Sequence, residues 1–105
     1  TASKHGLVGL TKVTALETAK DPITCNSLCP GFVLTELIQD QIKAVAKNKN
    51  IPFLDARVEM LRDKQPSLKF VRKEDIASMI FFLCSQEADQ VTGSNISLDG
   101  AWTAQ

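Results

Sequence analysis

Between Thr1 and Lys20 the small residues Ala2, Gly6, Gly9 and Val13 recur at spacings of four, three and four, and Leu7, Leu10 and Leu16 widen the apolar surface. That period predicts a helix with a small-residue seam. Each interior glycine costs about 1 kcal/mol relative to alanine, so two of them point to close backbone approach by another element. Asp21-Pro22 stops this helix, and "ITCNSLC" follows as a short strand that Pro30-Gly31 ends abruptly. A second helix begins at Thr35, whose hydroxyl can cap it with Glu36 in the first turn, and fades at "KNKN". A third, from about Pro52 to Lys64, carries Leu54, Val58 and Leu61 on one face. The segment "RKEDIASMIFFLCS" reads as a strong helix with Ile76, Met79, Ile80 and Leu83 inward, followed by a turn at Thr92-Gly93 and a strand at "NISLDG".

Two strands separated by helices imply a parallel crossover. Parallel strands are normally buried on both faces inside larger α/β domains, so a two-stranded parallel sheet suggests the last third of an open, doubly wound α/β fold. The start supports the same expectation. Thr1 and Ser3 are followed three residues later by Lys4 and Gly6, not by Glu or Gln, so the chain opens inside a helix rather than at a capped beginning. One domain over 1–105 is expected, with the helical stretch at about 36–66 as a flap or lid.

Composition narrows the classes. Hydrophobic residues make up 44% and charged residues 23%, a globular balance, and twelve basic residues offset twelve acidic ones. Nucleic acid is not an expected partner, because phosphate binding needs a concentrated positive surface. The apolar run Met79–Cys84 is far shorter than the roughly 20 residues that span a bilayer, so no membrane role is expected. Three cysteines, two of them four residues apart in a strand-like segment, fit neither a disulfide framework nor a zinc site. They read as reduced, buried, small apolar residues in a cytoplasmic protein. "GLVGLTK" lacks the spacing of a dinucleotide fingerprint or a phosphate-binding loop, and the single His5 has no nucleophile elbow beside it.

A more specific set of residues remains: a helix that starts A-S-K, a strand that ends C-P-G with Thr35 after it, and a last strand that runs into "LDGAWTAQ". Together they resemble the short-chain dehydrogenase/reductase family. Its Y-x-x-x-K motif would match Lys4 and place the tyrosine immediately before Thr1; this chain contains no Tyr. Within the family, "KHGLVGLTKVTALETA", "CNSLCPGFVLTELIQDQI", "KQPSLKFV" and "TGSNISLDGAWTA" are similar to the branch that oxidises 3-hydroxybutyrate. Phe32 stands where that branch carries Trp, and Ala101 where it carries Gly.

The resemblance implies a Rossmann-type dehydrogenase of which this chain is the C-terminal part, with NAD as cofactor and a small hydroxy acid as substrate. Lys4 would lower the pKa of the tyrosine and hydrogen-bond the cofactor ribose. Pro30 and Gly31 would bring the backbone near the nicotinamide, with backbone groups of Val33 and the Thr35 hydroxyl meeting its carboxamide or phosphate. Gln41 and Trp102 would grip the substrate carboxylate, and Phe32 would line the same pocket. A homotetramer follows from the same likeness, and the chain alone is expected to be inactive. Two other readings stand beside it: a dehydrogenase for a different small alcohol or ketone, and a non-enzymatic interaction module built on the open helix and strand edge.

Overall fold

The computed structural model describes residues 1–105. In chain order its elements are α1 (Ala2–Glu17), β1 (Ser27–Pro30), α2 (Glu36–Lys49), α3 (Phe53–Leu61), α4 (Lys73–Leu83) and β2 (Asn95–Leu98), with short 3-10 turns at Gln86–Ala88 and Trp102–Ala104. β1 and β2 form a two-stranded sheet. The bonds from Ser27 N–H to Ser94 C=O (3.0 Å) and from Gly31 N–H to Leu98 C=O (2.9 Å) advance equally along both strands, so the pairing is parallel. The expected α/β architecture is present.

The chain divides into two compact units, Thr1–Cys29 with Ala77–Ser97, and Pro30–Ile76 with Leu98–Gln105. In the first, α1 buries only Thr11 and Ala15, and Ala15 packs where a Cβ on Gly93 would come within 3.3 Å. The close approach expected at Gly6 and Gly9 is not met within the chain, since a Cβ on either would touch nothing within 4 Å. Leu7, Leu10, Val13 and Leu16 are exposed as well.

β1 is shorter at its start than the sequence suggests, because Cys25 and Asn26 bond to a turn instead of a strand. Cys25 N–H donates to the Thr92 hydroxyl (3.1 Å), and Cys25 C=O accepts from Gly93 N–H (2.7 Å). The Asn26 side chain donates to Val91 C=O (2.8 Å) and accepts from Ser94 N–H (3.0 Å). Gly93 has φ +73°, which admits glycine without strain. α4 buries no residue fully: Met79 and Leu83 are half-buried, and Ile80, expected inward, is exposed with Phe81 and Phe82. Two neighbouring positions on each side of a short helix cannot both face one small unit, and the adjacent apolar residues 79–83 occupy most of its circumference. The thiols are unpaired, Cys25 and Cys29 half-buried and Cys84 exposed rather than buried.

The second unit holds the larger core. Ile42 of α2, Ala56 and Leu61 of α3, and Phe70 are buried together, with Phe32, Leu34, Ile38 and Met60 packed on them. Thr35 caps α2 as expected, its Oγ1 accepting from Ile38 N–H (3.3 Å). Asn50 closes the helix at φ 51°, a left-handed position that asparagine tolerates. α3 ends at Leu61, three residues before the expected limit, and its buried face runs through Ala56 and Leu61. Leu54 and Val58 lie off that face, because the small Ala56 is the side chain admitted to the tight contact with α2. Val33 and Val71 then form a lone parallel bridge, in which Val71 N–H donates to Phe32 C=O (2.8 Å) and Leu34 N–H to Val71 C=O (3.0 Å).

Candidate functional site

Past Pro30 the chain makes a tight passage. A Cβ on Gly31 would lie 3.0 Å from Asp99 Cα and 3.1 Å from Asp99 Cβ, and would collide with Gln65 Oε1. Packing alone therefore demands glycine here. Gln65 is completely buried, and its amide joins two strands of loop: Oε1 accepts from Phe32 N–H (2.9 Å) and Nε2 donates to Lys69 C=O. A buried amide is tolerable only when its groups are paired in this way. Gly100, at φ 58°, faces the other side of the same residue, where a Cβ would lie 2.7 Å from Gln65 Cγ.

The fixed Phe32 backbone presents its ring to Trp102. The two rings stack with centroids 5.6 Å apart and planes 14° apart, and Phe70 meets Phe32 edge-on at 6.3 Å. Trp102 is held by Asp99, whose carboxylate accepts from the Thr103 hydroxyl (2.7 Å) and Thr103 N–H (3.1 Å), while Asp99 C=O accepts from Trp102 N–H (3.1 Å). The Thr103 hydroxyl, aided by nearby backbone N–H groups and opposed by burial, holds the Asp99 carboxyl below the usual range. Ala101 supplies the sharp turn at φ 75°, strained for a residue with a Cβ. The Lys64 ammonium sits 5.5 Å from the Phe32 ring centre and 5.6 Å from that of Trp102.

Of the residues singled out from sequence, Phe32 and Trp102 are brought together, and Pro30, Gly31, Val33 and Thr35 lead from β1 to the cap of α2. Phe32 C=O and Leu34 N–H are committed to Val71, so the Val33 N–H points to the opposite edge, free of that bridge. Gln41 lies exposed on α2, outside the aromatic stack. Lys4 is exposed in the first turn of α1, in the other unit. Gln65, Lys64 and Asp99 were not assigned roles from sequence, although Lys64 and Gln65 lie in the "KQPS" segment that carried part of the resemblance. An open cleft of about 710 Å³, bordered by Leu54, Val58, Ser67, Lys69, Arg72 and Asp99, lies in the same unit and does not include Phe32, Lys64 or Trp102. At its edge Arg72 and Asp75 bond side chain to side chain (2.6 Å) and Arg72 N–H to Asp75 (3.0 Å), which anchors the start of α4.

Comparison with known proteins identifies the family. A family described as Enoyl-(Acyl carrier protein) reductase matches residues 1–103. The D-beta-hydroxybutyrate dehydrogenase of Cupriavidus necator is 48% identical over 104 residues, covering 99% of this chain and 40% of that protein. Among solved structures, a short chain dehydrogenase family protein from Francisella tularensis superposes with TM-score 0.82 at 35% identity, over 99% of this chain and 43% of the other. A 4-hydroxyisoleucine dehydrogenase mutant complexed with NADH and succinate gives TM-score 0.80 at 36% identity, over 99% and 39%. The chain thus spans about two fifths of the length of these relatives. No helix is long and apolar enough to cross a membrane. The match over nearly all of its residues makes the chain a member of the short-chain dehydrogenase/reductase family.

Proposed function

We propose that this chain forms the C-terminal part of an NAD-dependent D-3-hydroxybutyrate dehydrogenase, with the helical stretch at about 36–66 acting as its substrate flap. The observation that carries the reading is the Phe32–Trp102 stack, which forms an aromatic wall suited to a short aliphatic acid. The 48% identity to a D-beta-hydroxybutyrate dehydrogenase supports the substrate, and the NADH in the 4-hydroxyisoleucine dehydrogenase complex supports the cofactor.

Oxidation of the secondary alcohol removes a hydride from its carbon and a proton from its hydroxyl, leaving the ketone. A bound nicotinamide supplies the hydride acceptor. Tyrosine, with a pKa near 10, ionises poorly at neutral pH, and the Lys4 ammonium favours the tyrosinate that takes the hydroxyl proton in this family. Val33 N–H is free of the Val71 bridge, and the Thr35 hydroxyl, which accepts from Ile38 N–H, keeps its own proton to donate. These two donors fit a carboxamide or phosphate, with Pro30-Gly31 setting the path of the backbone. Gln41 and the Trp102 indole N–H donate to the substrate carboxylate, and Phe32 covers the alkyl chain. The reading carries with it a cytoplasmic homotetramer in which the chain alone is inactive.

The test is turnover of D-3-hydroxybutyrate by the intact enzyme with NAD and with NADP. Reduction of NAD at a rate above that of NADP is expected; no reduction of either would overturn the reading. Phe32 lacks the indole N–H of the tryptophan in the 3-hydroxybutyrate branch, which favours one further reading, a dehydrogenase of another small alcohol or ketone. A substrate panel on the same enzyme separates the two.

A further inference from the structure

We infer that Lys64 is a carboxylate-binding, specificity-determining residue of this site, an assignment that rests on the hydroxy-acid dehydrogenase reading. Its ammonium is almost equidistant from Phe32 and Trp102, 5.5 and 5.6 Å, and these rings are themselves 5.6 Å apart, so the three centres form a near-equilateral triangle. The charge thus stands on the exposed side of the junction between the two rings. It has no acidic partner: the chain's ion pairs are Lys49–Glu59, Arg62–Glu59 and Arg72–Asp75. The nearby Asp99 is engaged with Thr103.

The Lys64 backbone is fixed at both ends, while its side chain is exposed. Its N–H donates to Leu61 C=O (3.0 Å), its C=O accepts from the Gln105 side chain (3.3 Å), and the next residue is the buried Gln65. An ammonium has three donors, and the π faces satisfy none of them as a carboxylate oxygen would. A short acid lying along the aromatic wall would bring its carboxylate to these donors, while its methyl and methylene groups stay on the rings. A neutral alcohol of the same shape gains the apolar contact alone. Lys64 therefore selects acids over neutral analogues.

The experiment compares D-3-hydroxybutyrate with its neutral methyl ester in the intact enzyme and in Lys64→Met and Lys64→Arg. Lys64→Met is expected to raise the KM of the acid about tenfold or more, leave the ester and NAD within about twofold, and Lys64→Arg to recover most of the loss. A KM for the acid that stays within about twofold in Lys64→Met, or rises equally for acid and ester, overturns the assignment. Failure of the unsubstituted enzyme to oxidise any hydroxy acid removes the dehydrogenase reading and this one together, and is recognised without any substitution.

Discussion

Phe32 and Trp102 lie face to face, 5.6 Å between ring centres and 14° between planes, although one follows the first strand and the other the last. An aromatic pair of this geometry contributes about 0.5–1.5 kcal/mol beyond its buried area. Trp102→Phe keeps the stack but removes the indole N–H, whereas Trp102→Ala removes both. Steady-state kinetics on the intact enzyme should show KM for the hydroxy acid rising in the order wild type, Phe, Ala. A Trp102→Phe variant indistinguishable from wild type would assign Trp102 to packing alone.

Lys4 is exposed and unencumbered by an ion pair, so its replacement should leave the fold intact. Lys4→Ala is expected to lower kcat by about 100-fold or more, the range for loss of general acid–base assistance. Normal turnover in this variant would defeat its catalytic assignment.

Gln65→Leu should destabilise by roughly 1–3 kcal/mol, because Phe32 N–H and Lys69 C=O would both lose their partner in partly buried surroundings. Urea midpoints at unchanged m-value measure this. A loss well below 1 kcal/mol would mean that water reaches both groups.

Ala101→Gly works in the opposite direction. Relief of the left-handed strain, about 1–2 kcal/mol, exceeds the roughly 0.5–1 kcal/mol of added unfolded-state freedom, so a net gain of up to about 1 kcal/mol is expected by thermal melting.

Asp99 makes stability depend on acid. Its folded pKa lies below the unfolded value near 3.9, so its contribution is complete above that pH and is lost as pH falls through the lower folded pKa. Asp99→Asn should flatten the stability profile below about pH 4, as read from urea unfolding at a series of pH values. An unchanged profile would show that the carboxylate bonds equally well in the unfolded chain.

The elements visible in the sequence were those that carry local signals: the Thr35 cap, the Asn50 stop and the turn at Gly93 each announce themselves in residue chemistry. What stayed hidden depends on residues distant in sequence. Gln65 looks like a surface residue until Phe32 N–H and Lys69 C=O are seen to satisfy it. Residues 23–26 have strand-like composition, yet the turn at 91–94 captures the hydrogen bonds of Cys25 and Asn26. Gly6, Gly9 and Ile80 keep the pattern of packed positions while facing open space in this chain, so periodicity marked an apolar face without saying what meets it. The Phe32–Trp102 pairing was legible only through the family likeness, since no spacing rule joins those positions.

The side chain of Gln65 fills the volume that a Cβ would need at both Gly31 and Gly100. For a lineage changing one residue at a time, these three sites are therefore a single heritable block. Shortening residue 65 does not by itself admit alanine, since a Cβ would still meet Asp99 Cα at Gly31 and Ser67 Oγ at Gly100, and it releases Phe32 N–H from its partner. Under the proposed function, new substrate preferences arise by replacing Phe32, Lys64 or Trp102, while the Gly31, Gln65 and Gly100 frame beside them is passed on unaltered.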